Sequence, residues 1–295
     1  MRLKHKAYST LTIAIDSGLY RFSISGIPDT IKKELETLYG EQLTEFSESA
    51  FYDFSLSVQN TSPVRRYFRR QRVIAVEGVK PFNPISERHL LPSIEWAMNW
   101  VVTAYQHTRL SMHSSVVVKN NKAIIIPASS GSGKSTLATL LGYAGWQMFS
   151  DEMALIDIDT MCVNPLYRPS SLKNKSIEVV SRHFPEATIS STTLATHKGD
   201  IAHARVHSRD EFLHFKPVKP VAVVFLKFVQ GSETSLRTVS QTEAFAMMLR
   251  NAFNYNILGN EGFSVIGKIA EACETIYLEY SDVDDVDNLL TDLLR

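Results

Sequence analysis

The chain has 295 residues, with 44% apolar and 21% charged side chains, the make-up of an ordinary globular protein. Lys+Arg and Asp+Glu balance at 31 each, so no global field points to nucleic acid or an anionic membrane as partner. Cys162 and Cys273 lack disulfide or zinc spacing, and no apolar run reaches the roughly 20 residues of a bilayer span, so a reducing cytoplasm is the expected location.

Residues 9–15, 19–25, 51–58 and 72–77 alternate or are rich in β-branched side chains, and predict strands. Between the second and third, residues 29–39 carry Asp29 or Thr30 as a cap and Ile31, Leu35 and Leu38 at helical spacing, which predicts a helix. These elements make a small α+β region over residues 1–90, ending near Lys80-Pro81-Phe82-Asn83-Pro84, where two prolines interrupt either periodicity. Residues 91–295 form a second region. It opens with a helix over 92–106, in which Trp96 and Trp100 stand one turn apart and read as core residues. Strands over 114–119 and 123–127 flank Asn120-Asn121, a tight hairpin turn. A helix over 135–144 and strands over 146–149 and 153–158 follow, and then the polar stretch 164–215, which shows no usable period. A β-branched strand over 218–228 precedes helices over 241–252, 262–273 and 284–295, with a strand over 275–280 among them.

Between the strand 123–127 and the helix 135–144 lies Ala128-Ser129-Ser130-Gly131-Ser132-Gly133-Lys134-Ser135-Thr136. It departs from the P-loop pattern G-x-x-x-x-G-K-[ST] only at Ala128. Two glycines let backbone N–H groups close around phosphate oxygens, Lys134 reaches toward the terminal phosphates, and Ser135 can ligate a cation while opening a helix whose N-terminus favours anions. Residues 128–136 are therefore the expected binding site for ATP with Mg²⁺. Ala128 tolerates negative φ but not a left-handed backbone, so the start of the loop must be conformationally undemanding. Asp151 and Glu152, where the next strand ends, are placed to hold Mg²⁺ or to take a proton from an attacking hydroxyl.

With these residues in place the chain resembles the HPr kinase/phosphorylase family. That family shows a histidine, a β-hairpin, G-x-S-G-x-G-K-S, a helix and then G-H-x-L-x-A-D-D. Here the same intervals hold His113, the P-loop, and Gly145-Trp146-Gln147-Met148-Phe149-Ser150-Asp151-Glu152. The departures are Ala128 for glycine, Trp146 for histidine and Glu152 for aspartate. The branch of HPr-related kinase A is the nearer resemblance. It is carried by residues 168–177, by Lys198-Gly199-Asp200-Ile201-Ala202-His203, and by residues 253–259 with Glu261-Gly262-Phe263. The resemblance implies an α/β P-loop kinase domain of the HPr kinase/PEP carboxykinase-like type, a mixed central sheet with flanking helices behind the small N-terminal region. It implies Asp151 as catalytic acid/base, His113 as an assisting residue, and phosphoryl transfer to a hydroxyl, most simply serine. A homo-oligomer is compatible with it, though no interface is legible in the chain.

Phosphoryl transfer needs positive charge on the transferring group and an aligned hydroxyl. Arg168, Lys173, Lys175, Lys198 and Arg205 lie in the polar stretch expected to cover the phosphates, and Lys173 and Lys198 are the favoured clamps because each falls in a family-like block. His197, His203 and His207 have irregular spacing and make no metal set. The basic run Arg65-Arg66-Tyr67-Phe68-Arg69-Arg70-Gln71-Arg72 reads as a solvated strand edge or as a docking patch for an acidic partner. The acceptor is left open among a protein, a peptide and a hydroxylated small molecule such as free serine. A nucleotide-dependent switch that binds or hydrolyses ATP without an acceptor is the alternative of another class.

Overall fold

The computed structural model describes residues 11–61, 70–128 and 131–294, without the side chain of residue 284. Its first sheet comprises β1 (Leu11–Asp16), β2 (Arg21–Ile27), β3 (Leu43–Glu45), β4 (Phe54–Asn60), β5 (Gln71–Val76) and β6 (Ile85–Ser86), with α1 (Asp29–Tyr39) crossing between β2 and β3. The strand order is β3-β1-β2-β4-β5-β6, with β2 and β4 parallel and the other neighbours antiparallel. The chain then runs through α2 (Leu90–Tyr105), β7 (Arg109–Met112), β8 (Ser114–Lys119), β9 (Lys122–Pro127), α3 (Lys134–Tyr143), β10 (Gln147–Ser150), β11 (Ala154–Asp157) and β12 (Val163–Asn164).

The polar stretch that showed no period is ordered. It folds into β13 (Ser170–Lys173), α4 (Lys175–His183), β14 (Thr188–Ile189), β15 (Thr193–Thr196), β16 (Gly199–Arg205) and α5 (Arg209–Leu213), in which β13, β14 and β15 all pair with β16. The chain ends with β17 (Pro220–Phe228), β18 (Ser235–Thr238), α6 (Gln241–Asn251), α7 (Tyr255–Leu258), α8 (Asn260–Ala272), β19 (Glu274–Tyr280) and α9 (Val283–Asp292). The architecture is α/β, with mixed sheets and helices packed on them.

The central sheet has the order β10-β8-β9-β17-β19-β18. β9, β17 and β19 are parallel, whereas β8 runs antiparallel to β9, and β10 antiparallel to β8. β10 therefore points the same way as β9, and the carboxyl ends of β9, β10, β17 and β19 meet at one edge. In an open α/β sheet that edge is where ligands bind. His113, just before β8, is at the same edge because Ser114 pairs with Pro127 at the end of β9.

Alternation buries both faces of this sheet. Val116, Val118, Ala123, Ile125, Val223 and Phe225 join one core, while Val117, Ile124, Ile126, Ala222, Val224 and Leu226 join the other beneath α3 and α9. The first core continues through α2 and α1 into the N-terminal sheet, reaching Ile13, Phe22 and Ile74. The Pro81–Pro84 segment thus interrupts the secondary structure without interrupting the core.

Candidate functional site

Asn120 and Asn121 adopt φ of 52° and 58°, the left-handed pair of a two-residue hairpin turn, which sets the register of β9 against β8. β9 then delivers the chain to the P-loop. Ala128 is buried and is not among the described residues with positive φ, so its lack of glycine freedom costs nothing there. Ser129 and Ser130 lie outside the described residues. Gly131 and Gly133 take φ of 88° and 91°, conformations that a side chain would strain. At Gly133 the constraint is also steric, since an added Cβ would lie 2.5 Å from the Tyr280 hydroxyl and 3.0 Å from Cβ of Phe228. The loop is tied to the sheet edge by the Phe228 N–H donating to the Ser132 carbonyl at 2.9 Å, and by the Tyr280 hydroxyl donating to that of Gly133 at 3.3 Å.

Lys134 begins α3 at 6% exposure, with Nζ donating to the main-chain carbonyl of Asp151 at 2.7 Å. Burial lowers its pKa, an effect opposed by the charges of Asp151 and Glu152. That one bond leaves two of its three protons for a ligand. The Ser132 hydroxyl is buried with no hydrogen-bond partner in the loop, and Ser135 and Thr136 line the cavity beside it. An orphaned hydroxyl, two left-handed glycines and an ammonium group beside a cavity of about 1050 Å³ fit the phosphates of a nucleotide.

Asp151 and Glu152 diverge sharply. Asp151 is 1% exposed, and its carboxylate accepts hydrogen bonds from Ser115 Oγ, Ser170 Oγ and the Ser171 N–H, all at 3.0 Å. The Thr139 hydroxyl of α3 lies 2.6 Å from Ser170 Oγ, so Asp151 ties β8, β13 and α3 together. Glu152, by contrast, is half-buried and lines the cavity. Its Oε2 lies 3.5 Å from Nε2 of His113. Desolvation acts to raise the pKa of Glu152, but the His113 hydrogen bond and the charges of Lys134 and Lys173 outweigh it and bring the carboxyl down to about 2. The geometry therefore brings Glu152 to the wall of the cavity beside the P-loop, whereas Asp151, 1% exposed, reaches only the wall of an adjoining smaller cavity. Sequence spacing alone offered both carboxylates, and only the family resemblance singled out Asp151, because the two neighbours are indistinguishable until the strand's pleat is known.

Lys173, at the end of β13, and Lys198, on the turn between β15 and β16, reach the same space. Lys198 has its pKa lowered by burial and by Lys173. Lys175 also lines the nucleotide-sized cavity. Two other residues of the basic set are not on the wall of that cavity. Arg168 is buried in an ion pair with Glu95 at 2.5 Å, and Arg205 sits against Gly40. His203 is buried, and His207 accepts a hydrogen bond from the Met148 N–H at 2.8 Å through Nε2. Of the basic run, Arg65, Arg66 and Arg69 lie outside the described residues, while Arg70 and Arg72 pair with Glu87 at 3.3 and 2.8 Å.

A second cavity, of about 590 Å³, adjoins the first, and the two share His113, Glu152, Ser171, Lys173 and Lys198. Trp96 and Trp100 are on its wall; Trp100 is partly buried against the main core, as expected, whereas Trp96 is 45% exposed, which corrects its reading as a core residue. The helical pattern of α2 placed Trp96 on an apolar stripe; it could not reveal that the ring stays nearly half exposed on a cavity wall. Among the described residues no group of three or more His, Cys, Asp or Glu is arranged to hold a metal, and no helix is long and apolar enough to cross a membrane.

No protein-family model matches the chain, and no curated protein matches it. Among solved structures it is similar to the Hpr(Ser) kinase/phosphatase from Coxiella burnetii, at 13% identity and a TM-score of 0.29, over 63% of this chain and 93% of that one. A likeness at that TM-score carries no argument.

Proposed function

We propose that this protein is a P-loop kinase that transfers the γ-phosphate of ATP to a hydroxyl. The observation that carries the reading is the junction of two cavities at Glu152, His113, Lys173 and Lys198, with a P-loop opening into only one of them. One cavity takes the donor, the other the acceptor, and the shared residues stand where the two would react.

In this reading the amides and hydroxyls of residues 128–136 hold the phosphate chain of ATP, and Lys134 neutralises its terminal oxygens. Ser135 would hold Mg²⁺, a cation that keeps several waters and needs few protein ligands. When bound it supplies positive charge to the transferring group. Lys173 and Lys198 complement that charge from the opposite wall. Glu152 takes the proton of the acceptor hydroxyl, and His113 orients its carboxylate. Asp151, which the family resemblance implies as the base, serves in this reading as a buried brace for the Lys134–Glu152 geometry. A carboxylate depressed to about 2 is ionised throughout the physiological range and ready to accept a hydrogen bond. Proton transfer to it then runs late, as the leaving of the donor advances.

The test is where the phosphate goes. With γ-labelled MgATP and a mixture of blocked seryl peptides and small alcohols, label is expected on a phosphoester. Release solely as orthophosphate would instead support a nucleotide-dependent switch without acceptor. Lys134→Ala is expected to weaken ATP binding by about 10–100-fold, the value of losing a charge-assisted contact, measured by titration calorimetry.

A further inference from the structure

The smaller cavity has walls from both halves of the chain. Phe82 comes from the segment after β5, Trp96 and Trp100 from α2, and Phe253 from the connection between α6 and α7. The Phe82 ring centroid lies 4.9 Å from that of Trp96 and 5.4 Å from that of Trp100, a continuous aromatic surface. A cavity of about 590 Å³ is of the size that encloses a small organic molecule or the end of a peptide.

Its charges are sorted to one end. Glu95 and Arg168, also on its wall, neutralise each other at 2.5 Å and are satisfied further by the Tyr39 hydroxyl and Asn99. The charge left beside the aromatic rings is then the ammonium group of Lys198. Glu152, Lys173 and Lys198 belong to the end shared with the nucleotide cavity, where Glu152 meets His113, and Asp151, also on this wall, is held by Ser115, Ser170 and Ser171. Lys198 Nζ stands 5.5 Å from the Trp96 ring centroid, so the polar and aromatic ends abut.

Resting on the kinase reading above, we infer that the phosphate acceptor is an uncharged alcohol with an apolar body about the size of a ring. It would lodge against Phe82, Trp96 and Trp100 and turn its hydroxyl to Glu152. The acceptor oxygen forms a bond to the γ-phosphorus as the bond from that phosphorus to the β–γ bridging oxygen breaks. ADP leaves with the electron pair, and the hydroxyl proton passes to the Glu152 carboxylate. Such an acceptor can be a free molecule or a serine beside an apolar residue at the end of a peptide. The chemistry is the same, and the test separates the two.

The experiment uses the full chain with γ-labelled MgATP and five acceptors. N-acetyltryptophanol and a blocked Ser-Trp dipeptide amide represent the two apolar sources; free serine and blocked Ser-Asp and Ser-Lys amides are the charged comparisons. The expected result is a kcat/KM at least about tenfold higher for one or both apolar acceptors, and the one turned over identifies the source. Trp96→Ala should raise KM for that acceptor about tenfold with kcat within about twofold, and Trp96→Phe should restore most of it. Leu213→Ala, on the exposed side of α5, should change neither. If Trp96→Ala fails to fold, Phe82→Ala is read for the same split. Equal or better use of the charged acceptors, transfer only to folded proteins, or an unchanged KM in the folded variant overturns the inference. Calorimetric binding of MgATP separates the two levels: binding without transfer to any apolar acceptor overturns this inference alone, whereas absence of binding overturns the kinase reading with it.

Discussion

His207 shows how much a single buried group shapes the stability of this fold. It packs edge-on against Phe215, accepts the Met148 N–H, and is held by desolvation at about 4, against its ordinary value of 6.5. Between those two pH values the unfolded chain takes up a proton that the folded chain refuses, so stability falls as the pH is lowered through that window. The loss is on the order of 3 kcal/mol at its lower end. Urea denaturation at pH 7 and pH 4.5 should record most of that drop, and His207→Gln, which keeps an acceptor but no titrating ring, should flatten it. Arg168 makes a second residue-scale case. Replacing it by alanine would strand the Glu95 carboxylate, 5% exposed, in the core. The expected cost is about 3–5 kcal/mol, read as a lowered urea midpoint. Glu95→Gln together with Arg168→Met should recover much of it, because the penalty belongs to the unpaired charge.

At the scale of elements, what was legible in the sequence was whatever local chemistry dictates. The Asn120-Asn121 turn, the β9 run of isoleucines and the GKS at the start of α3 each follow from backbone preference or strand alternation, and each is where the sequence places it. The sheet between residues 170 and 205 was not legible. β13, β14 and β15 are two to four residues long, and β16 buries Ile201, Ala202, His203 and Ala204 without a clear apolar alternation. β18 was missed for a similar reason, since its four residues are all exposed at the sheet edge. Which of Asp151 and Glu152 is buried was illegible too, because it depends on which of two adjacent carboxylates meets Ser170 on a strand that the sequence did not reveal. The strand-to-helix loop supplies the prediction at this scale. Gly133→Ala meets both a left-handed φ and the Tyr280 hydroxyl. It should lower ATP affinity by about tenfold or more through displacement of the loop, while costing only about 1–3 kcal/mol of stability. Calorimetric titration and thermal melting of the same preparation measure both.

Across the whole molecule, the N-terminal sheet and the central sheet share one apolar core through α1 and α2. The ion pair between Glu95 on α2 and Arg168, with Tyr39 of α1 bonded to both, joins the same parts through polar contacts. The result is a cleft with one cavity built on the P-loop, the donor side of the proposed reaction, and an adjoining one built partly from the N-terminal half, its proposed acceptor side. Glu152, His113, Lys173 and Lys198 stand between them. The central claim is that this junction moves a proton and a phosphoryl group, and that Glu152, not Asp151, receives the proton. The direct measurement is single-turnover transfer from γ-labelled MgATP to a hydroxyl acceptor by the wild type and by Glu152→Gln, with ATP affinity measured alongside. The expected result is a transfer rate reduced by about 10²–10⁴-fold with ATP bound nearly as tightly. Transfer by Glu152→Gln within a few-fold of the wild-type rate would contradict it.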